Sequence, residues 1–262
     1  MKIIFWNIKN NNTFNVIHDL IETEQPDLLY LAEYKQLDIE AFKTNLQSLN
    51  YQIIPNPGCN KILIISSRTV DDINLTLQQN DYSGIYLKRT DINIIALHMP
   101  SQYSYDFDAL KYNISEFKSD FEQYIGKSSN TNIILIGDFN VNPFEKPMVN
   151  YDGLAATNSV NFNSKRTFRG KQKEVYYNPT WKLYAKTYFP GSFYRKRPSN
   201  SSFDVIEHHF LDQVVLSEKF LKKIKVDHID LIEETKNYTI FDSSSYNINY
   251  SDHLPIKYEY TL

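Results

Sequence analysis

The sequence contains a single cysteine, Cys59, among its 262 residues, so no disulfide can form within the chain. No apolar run approaches the length of a membrane-spanning helix. Residues 1–20 lack the charged, apolar and cleavage regions that a secretory signal carries in that order. The chain also has no linker rich in glycine or proline, no low-complexity segment and no internal repeat. We therefore expect one cytoplasmic domain over residues 1–262, with no membrane contact and no obligate protein partner.

Neither sign of charge dominates, since the formal net charge is −3 and the isoelectric point is about 6.1. This balance argues against a strongly basic nucleic-acid coat protein, but it permits an enzyme with a local basic patch. Basic residues concentrate at residues 165–173, which contain no acid, and at Tyr194–Arg197. The 20 tyrosines and 16 phenylalanines are enough to fill a large core and still line a groove.

Apolar periodicity predicts strands punctuated by a few helices. The clearest helix covers residues 106–125, where six apolar residues recur at spacings of three and four. Thr13 is the expected N-cap of a helix ending near Thr23, and another helix is expected near residues 37–49. Residues 142–203 show no regular pattern, and so long an irregular stretch in a compact domain is usually functional. Strands are expected near residues 2–7, 27–33, 51–54, 61–66, 73–77, 84–88, 92–97, 133–136, 211–216, 224–230 and 255–261.

The most informative segment is residues 133–143, IILIGDFNVNP, in which a buried strand runs into Gly137 and Asp138. If strand geometry continues, Asp138 and Asn140 point the same way, because they are two residues apart. A carboxylate and an amide at the mouth of a buried strand lose their hydration unless they hold something, such as a phosphate and a cation. The alternative is an Asx-rich turn that closes the strand.

Five further apolar segments lie beside a polar side chain in the same way. The polar residues are Asn7, Glu33, His98, Asp212 and the pair Asp252-His253. Each offers a metal ligand, an acid, a base or a hydrogen-bonding group. Six such segments predict strand ends that converge on one pocket.

In their order and spacing, these motifs resemble the endonuclease/exonuclease/phosphatase superfamily, which has the DNase I-like fold. The resemblance spans residues 6–255 and implies an α/β (α+β) fold. The expected architecture is a four-layer α/β/β/α sandwich, with two packed, mostly antiparallel sheets flanked by helices. The matching pieces are Trp6-Asn7, Pro26-Asp27 with Glu33, Leu97-His98, Gly137-Asp138-Phe139-Asn140, Leu211-Asp212 with Leu216-Ser217, and Ser251-Asp252-His253-Leu254-Pro255.

The resemblance implies a Mg²⁺-dependent phosphodiester hydrolase in which water attacks in line with the leaving oxygen. Glu33 is the expected metal ligand, since hard cations prefer carboxylate oxygen and Mg²⁺ often retains several waters. Asn7 and Asp252 would complete or flank its coordination sphere. Mn²⁺ is the alternative ion.

The resemblance also assigns the acid–base residues. His253 would be the general acid/base, with Asp212 fixing its tautomer. His98 would be a second acid/base group. Asp138 would orient the nucleophile or a histidine, and Asn140 would donate hydrogen bonds to phosphate oxygens.

Lys9 departs from the pattern, because nuclease members of the family often carry an acid there. A metal contact would be lost at this position, and Lys9 would contact phosphate instead. The two basic clusters are interleaved with aromatic residues, which suits a polyanion with stackable bases. The alternative for these clusters is a solvated basic loop. The interleaved aromatic residues are Phe168, Tyr176, Tyr177, Trp181 and Phe193.

The sequence therefore favours a nuclease, with DNA as the expected substrate and endonucleolytic cleavage as the expected mode. The expected substrate-binding residues are Lys9, Lys165, Arg166, Arg169, Trp181 and Arg195. Alternatives are action on RNA, on a phosphoinositide or another small phosphorylated substrate, or on a sphingomyelin-type lipid. A catalytically inactive binding module is a further alternative, although such a module would be expected to lose some of the site residues.

Overall fold

The computed structural model describes residues 1–101, 107–127, 131–185, 191–194 and 206–262. The α-helices are α1 (Phe14–Glu24), α2 (Ile39–Ser48), α3 (Phe107–Lys127), α4 (Lys146–Val149) and α5 (Glu218–Lys223). The strands are β1 (Lys2–Asn7), β2 (Leu28–Ala32), β3 (Gln52–Ile54), β4 (Ile62–Ser66), β5 (Ile73–Gln79), β6 (Tyr82–Leu87), β7 (Ile92–His98), β8 (Ile133–Asp138), β9 (Ala156–Thr157), β10 (Lys165–Phe168), β11 (Lys171–Glu174), β12 (Tyr176–Tyr177), β13 (Phe193–Tyr194), β14 (His208–His209), β15 (Asp212–Ser217), β16 (Val226–Leu231), β17 (Phe241–Asp242), β18 (Asn247–Ile248) and β19 (Ile256–Thr261). Short 3₁₀ turns cover Val70–Asp72 and Pro179–Ala185.

Two large sheets form the centre of the fold. A six-stranded sheet has the order β16-β19-β1-β2-β4-β3, and a seven-stranded sheet has the order β5-β6-β7-β8-β15-β12-β9. Within these sheets, only β1 with β2, β7 with β8, and β9 with β12 pair in parallel among the described strands. The expectation of mostly antiparallel sheets is therefore confirmed.

The alternation of side chains along β1 explains why the sheets stack. Ile3 and Phe5 face the other sheet and belong to the core between the two sheets. Ile4 and Trp6 face the opposite way and pack with α1 and α2. Nearly every residue of the central strands is apolar because both faces of each sheet are covered.

The helices complete the outer layers. On α1, Ile17 and Leu20 are buried against the six-stranded sheet, and α2 adds Phe42 to the same cluster. The expected stripe of α3 is also core, since its residues from Leu110 to Ile125 pack on the outer face of the seven-stranded sheet. The four-layer α/β/β/α sandwich is therefore confirmed. No described helix is both long and apolar enough to cross a membrane.

The ends of α1 differ in detail from what the sequence predicts. Thr13 occupies the N-cap position, but its side chain makes no capping hydrogen bond. At the other end Gln25 adopts a left-handed conformation with φ of 48°, and its N–H donates to the carbonyl of Ile21. Pro26 follows and cannot continue the helix.

The irregular stretch 142–203 contains more structure than its sequence indicates. An exposed antiparallel hairpin, β10–β11, occupies the basic cluster 165–173. Tyr176 and Tyr177 form β12 and are buried. These two tyrosines therefore cannot stack on bases, contrary to the expectation that they belong to a nucleic-acid surface.

Cys59 is buried and free, and burial raises the pKa of its thiol.

Candidate active site

Parallel strand pairs deliver two pairs of polar residues to one edge of the sandwich. In the six-stranded sheet, Asn7 at the end of β1 pairs with Ala32, the residue before Glu33. In the seven-stranded sheet, His98 at the end of β7 pairs with Asp138 at the end of β8. Because the carboxyl ends of parallel neighbours meet at the same edge, the convergence follows from strand direction.

Antiparallel neighbours bring the late motifs to the same edge. Asp212 begins β15 and pairs with Asp138 at the end of β8. Asp252 and His253 come just before β19, which runs antiparallel to β1. A residue at the start of an antiparallel strand lies beside the end of its partner, so residues far apart in sequence meet.

These residues surround a cavity of about 600 Å³, which we call the catalytic cavity. Eight of the predicted site residues line it, whereas Asp212 is fully buried behind His253. Its lining consists of Asn7, Lys9, Glu33, His98, Ser101, Asp138, Asn140, Phe193, Tyr194, Leu211, Asn247, Ile248, Ser251, Asp252 and His253.

The imidazole of His253 is held from its buried side. Its Nδ1 atom lies 2.8 Å from Oδ2 of Asp212, and both side chains are buried. Burial lowers the pKa of His253, but the Asp212 carboxylate outweighs burial and the pKa rises to about 10. The ring is therefore protonated at neutral pH, and Nε2 presents a hydrogen to the cavity. This nitrogen lies 3.9 Å from Oδ2 of Asp138 and 3.9 Å from Oδ1 of Asp252.

Asp138 lies between the two histidines. Its Oδ2 atom is 3.8 Å from Nε2 of His98 and accepts a hydrogen bond of 3.2 Å from Nδ2 of Asn7. Its Oδ1 atom accepts a hydrogen bond from the backbone N–H of Asn140 at 2.8 Å. Burial raises the pKa of the Asp138 carboxyl, against the lowering effect of the charge on His253. The group is thus fixed in place and close to both Nε2 atoms.

Asn140 does not continue the strand. β8 ends at Asp138, and Asn140 has a left-handed backbone with φ of 54°. The bond from Asn140 N–H to the Asp138 carboxylate closes an Asx turn, and the Asn140 amide donates to the carbonyl of Met99 at 2.7 Å. The expectation of continuing strand geometry was therefore wrong. The Asx turn and a binding cavity are nevertheless both present, because the side chains of Asp138 and Asn140 still line the cavity.

Glu33 lies on the cavity wall that faces His253. It is the most accessible of the carboxylates lining the cavity, with its side chain 32% exposed. Its Oε1 atom lies 3.4 Å from Nε2 of His98 and accepts a hydrogen bond from Nδ2 of Asn7, while Oε2 accepts one from Nδ2 of Asn10. The hydrogen bond from His98 is the largest influence on its pKa, which falls to about 2. Glu33 is therefore an anion at any ordinary pH, as a ligand for a hard cation must be.

The Lys9 side chain enters the cavity and forms an ion pair with Asp252. Its Nζ atom lies 2.7 Å from Oδ2 of Asp252, and the two side chains are 56% and 23% exposed. Both Lys9 and Asn10 have left-handed backbones, with φ of 53° and 54°. The turn is fixed by the N–H of Lys9, which donates to Oδ1 of Asn7, and by the N–H of Asn10, which donates to the carbonyl of Glu33.

The donor set on this wall fits a divalent cation of the Mg²⁺ type. Glu33 supplies an ionised, partly exposed carboxylate, whereas the Asp252 carboxylate is already paired with Lys9. Asn7 would coordinate only after its amide turned, because its oxygen accepts from Lys9 N–H and its nitrogen faces Glu33 and Asp138.

A second group of acid and histidine atoms lies within 4.8 Å of one another, contributed by Asp138, Asp212 and His253. All three residues are buried. Because Asp212 already accepts from Nδ1 of His253, this group is better described as a hydrogen-bonded pair with a neighbouring carboxyl than as a metal site. The Glu33 wall therefore fits a cation better.

The expected substrate-binding residues separate into two places. Lys9 lines the catalytic cavity, but Lys165, Arg166, Arg169 and Trp181 do not. Lys165, on the exposed hairpin, makes an ion pair with Glu174. Trp181 packs on Phe144 and Tyr184 in a neighbouring surface region. Arg195 lies outside the described residues.

The structure gives supporting roles in the site to three residues that the sequence did not place among the catalytic or metal-binding residues. Ser251 Oγ donates to the carbonyl of Asn7 at 2.7 Å and accepts from the N–H of His253 at 3.1 Å, so it joins two motifs. Ser192 Oγ accepts from the N–H of Asp212, and the Phe193 ring packs 4.8 Å from the His253 ring. The position of Ser251 beside Asp252-His253 was a usable signal. Ser192 had none, because its segment has no periodic pattern. Phe193 was expected among the aromatic residues that stack on bases, but its ring is buried and packs on His253.

Comparisons with solved structures identify the same fold over the whole chain. A 3′ phosphatase, NExo, from Neisseria bound to a product DNA hairpin has a TM-score of 0.58 at 14% identity, with both chains covered completely. An AP endonuclease from Archaeoglobus fulgidus has a TM-score of 0.59 at 12% identity, again with complete coverage of both chains. TDP2 from Caenorhabditis elegans has a TM-score of 0.60 at 15% identity, covering all of this chain and 74% of that one. No protein-family model and no curated protein matches the sequence. At these identities the comparisons establish the fold, and they confirm the one expected from the sequence.

Proposed function

Because the chain has the DNase I-like fold of the endonuclease/exonuclease/phosphatase superfamily, we propose that it is a divalent-metal-dependent phosphodiester hydrolase. The observation that carries the proposal is the buried pair of Asp212 and His253, whose Nε2 atom faces a cavity with Glu33 on its other wall. A protonated donor and an anionic cation site on facing walls are what hydrolysis of a phosphate ester requires.

Each residue has a role that follows from its contacts. His253 would donate its Nε2 hydrogen to a phosphoryl or leaving oxygen, because Asp212 keeps the ring protonated. Asp138, fixed by Asn7 and the N–H of Asn140, would orient the attacking water or a histidine. His98 would act as the second acid/base group, since its Nε2 atom also faces the cavity carboxylates.

Glu33 would hold Mg²⁺ or Mn²⁺, whose charge would stabilise the phosphoryl oxygens during attack. Asp252 flanks this position with a second carboxylate. Lys9 would add a fixed positive charge at the cavity, where it could contact a phosphate. The charges of Lys9 and of the protonated His253 would partly balance the carboxylates that line the cavity.

Nucleic acid, and DNA in particular, is the substrate that we propose, with endonucleolytic cleavage. Among the structurally similar proteins, NExo is described with a DNA hairpin product and the Archaeoglobus protein as an AP endonuclease. The hairpin β10–β11 carries five basic residues and a single acid, Glu174, so it presents positive charge at the surface that would attract a polyanion.

The experiment is incubation of the protein and Mg²⁺ with supercoiled plasmid, single-stranded RNA, a phosphoinositide and a small phosphomonoester. Nicking and linearisation of the plasmid are the expected result. Release of inorganic phosphate with intact plasmid would favour a phosphatase, for which NExo's description as a 3′ phosphatase is the supporting comparison. Absence of any turnover would indicate a binding module.

The role of His253 has its own test. His253→Ala is expected to lower turnover by roughly two to four orders of magnitude, the usual contribution of a general acid or base. His228→Ala removes an exposed histidine on β16 and should leave turnover unchanged. Near-normal turnover in the His253 variant would refute the assignment.

A further inference from the structure

A second cavity, of about 460 Å³, opens beside the hairpin β10–β11. It is lined by the hairpin, by residues between 149 and 158, and by Trp181. We call this cavity the aromatic pocket and define it by Val149, Tyr151, Arg166, Phe168 and Trp181. The volume lies in the range of sites that bind small organic groups, ~300–1,000 Å³. The catalytic roles proposed above do not use any of these residues.

The walls of the aromatic pocket present apolar surface to water. The Phe168 side chain is 54% exposed and Val149 is 41% exposed. The ring of Tyr151 packs 5.4 Å from that of Phe168, and the Tyr151 hydroxyl donates to the carbonyl of Lys171. Trp181 is held by ring contacts with Phe144 and Tyr184. The aromatic faces are therefore fixed in position, which is what a stacking platform needs.

Positive charge surrounds these rings. The guanidinium carbon of Arg169 lies 5.3 Å from the centre of the Phe168 ring, and the Lys173 ammonium lies 5.5 Å from that of Tyr151. Within the described part of the chain, neither Arg166 nor Arg169 makes an ion pair with a carboxylate. Lys165 on the same hairpin differs, because it pairs with Glu174.

Flat aromatic faces next to free arginines favour one kind of occupant. An unpaired nucleobase stacks on aromatic rings, and its phosphates attract the cations around them. A base inside a duplex does not offer its face in this way, so the occupant must be single-stranded. An apolar peptide would satisfy the rings but would leave the arginines without a partner.

The aromatic pocket is connected to the catalytic cavity by packed rings. Trp181 lies 5.6 Å from Tyr184, and Tyr184 lies 4.4 Å from Phe210. Phe210 immediately precedes Leu211, which lines the catalytic cavity. A chain of packed rings therefore runs from the aromatic pocket to the residue next to Leu211.

We propose that the aromatic pocket binds a nucleobase of a single-stranded nucleic acid whose backbone continues toward the catalytic cavity. The inference rests on the proposed function, because the bound strand is the substrate. It adds a preference for substrates that have an unpaired segment beside the cleaved bond.

Tryptophan fluorescence tests the proposal directly. The chain has two tryptophans, and Trp6 is fully buried, so Trp181 is the one that a ligand can reach. Titration with a single-stranded oligothymidylate in EDTA, which prevents cleavage, should quench the emission. An oligonucleotide of the same length made only of abasic sites should bind more weakly and quench little.

Variants identify the residues responsible. Phe168→Ala and Arg166→Ala should each raise the Kd for oligothymidylate about tenfold or more, and Trp181→Phe should abolish the quenching while retaining most of the affinity. Tyr112→Ala, which removes an aromatic residue 64% exposed on α3, and Arg89→Ala, which removes an arginine with a 77% exposed side chain, are the matched controls and should bind normally.

Hydrolysis of bis(p-nitrophenyl) phosphate separates this proposal from the proposed function, because so small a diester cannot occupy both cavities. Wild type and Phe168→Ala should cleave it equally with Mg²⁺. If wild type cleaves it but oligothymidylate gives no quenching, or quenching and Kd are unchanged in the Phe168 and Arg166 variants, the aromatic pocket is not a base site. A loss of small-diester cleavage in Phe168→Ala would also overturn the proposal. If wild type cleaves no ester at all, the proposed function itself fails.

Discussion

The ammonium nitrogen of Lys9 lies 2.7 Å from Oδ2 of Asp252 inside the catalytic cavity. A carboxylate that already neutralises a fixed cation is a poor ligand for a second metal ion, because the ion would be repelled by the ammonium. In the described part of the chain, Glu33 contacts no lysine or arginine, and it is held as an anion by His98 and Asn7. The ion pair therefore distinguishes the two candidate ligands.

Lys9→Asp should raise the number of Mn²⁺ ions bound per chain from one to two, because it replaces the competing ammonium with another oxygen ligand. Lys9→Ala should tighten Mn²⁺ binding about tenfold, since it removes a positive charge within a few ångströms of the site. Isothermal titration calorimetry and Mn²⁺ electron paramagnetic resonance measure both effects. Lys225→Asp changes the same charge at the far end of β19 and should bind as wild type does. Two ions on the wild-type chain would contradict this account.

Asp212→Asn should uncouple His253 from its counter-charge. The pKa of His253 should fall from about 10 toward its usual value near 6.5, because burial then opposes the protonated ring with less compensation. Turnover should fall by roughly two to four orders of magnitude. NMR titration of the histidine ring in EDTA measures the first effect and steady-state kinetics the second. Asp230→Asn, at a partly exposed position on β16, is the control. An unchanged His253 pKa in Asp212→Asn would refute the coupling.

Gly137→Ala should destabilise the protein by about 3 kcal/mol or more. Gly137 has φ of +149°, and an added Cβ would lie 2.0 Å from the carbonyl oxygen of Leu97 on the adjacent strand. Gly170→Ala is the matched control, because φ there is +75° but no atom lies within 4 Å. It should cost only about 1–2 kcal/mol. Urea denaturation of the two variants gives the comparison, and equal losses would show that the contact with Leu97 is unimportant.

Lys118 should make the free energy of unfolding depend on alkaline pH. Its ammonium is buried, where it donates to the carbonyls of Leu154 and Glu174 and lies 3.7 Å from Glu122. Burial lowers its pKa to about 8 from 10.5, with the Lys173 charge adding to burial and Glu122 opposing it. Between these values the unfolded chain binds more protons than the folded chain, so stability rises with pH.

Relative to Lys118→Met, the free energy of unfolding of the wild type should therefore increase by about 3 kcal/mol between pH 8 and pH 10.5. Denaturant titrations across that range provide the measurement. Lys43→Met, at a half-exposed position on α2, should show no such change relative to wild type. A flat difference for the Lys118 variant would show that its ammonium titrates normally.

Much of the architecture follows from local pattern. The strands ending at Asn7 and Asp138 are almost wholly apolar, which predicts that both faces are covered. The polar residues that follow them are conspicuous because they interrupt that pattern. Within each sheet, the carboxyl ends of two strands come together wherever neighbouring strands are parallel, as β1 and β2 are in one sheet and β7 and β8 in the other.

Other parts of the site could not be obtained in this way. Ser192 supports Asp212, and Phe193 packs on His253, through pairings between segments that lack any periodicity. The hairpin β10–β11 is exposed on both strands, so no apolar alternation marks it. Its arginines were visible in the sequence, but their separation from the catalytic cavity was not.

The sequence by itself determined the main strands and helices and the set of polar residues that end or begin the central strands, because burial acts locally. The sandwich was expected only from the resemblance to a known family. Only the tertiary structure decided which atoms of those residues remain available to bind a metal ion or a substrate. It pairs Asp252 with Lys9, turns the Asn7 amide nitrogen toward Glu33 and closes the Asn140 turn. Those choices depend on distances of a few ångströms between residues far apart in sequence, such as Lys9 and Asp252, which are 243 positions apart. Hydrogen bonds and ion pairs are sensitive to such distances, and sequence spacing does not encode them.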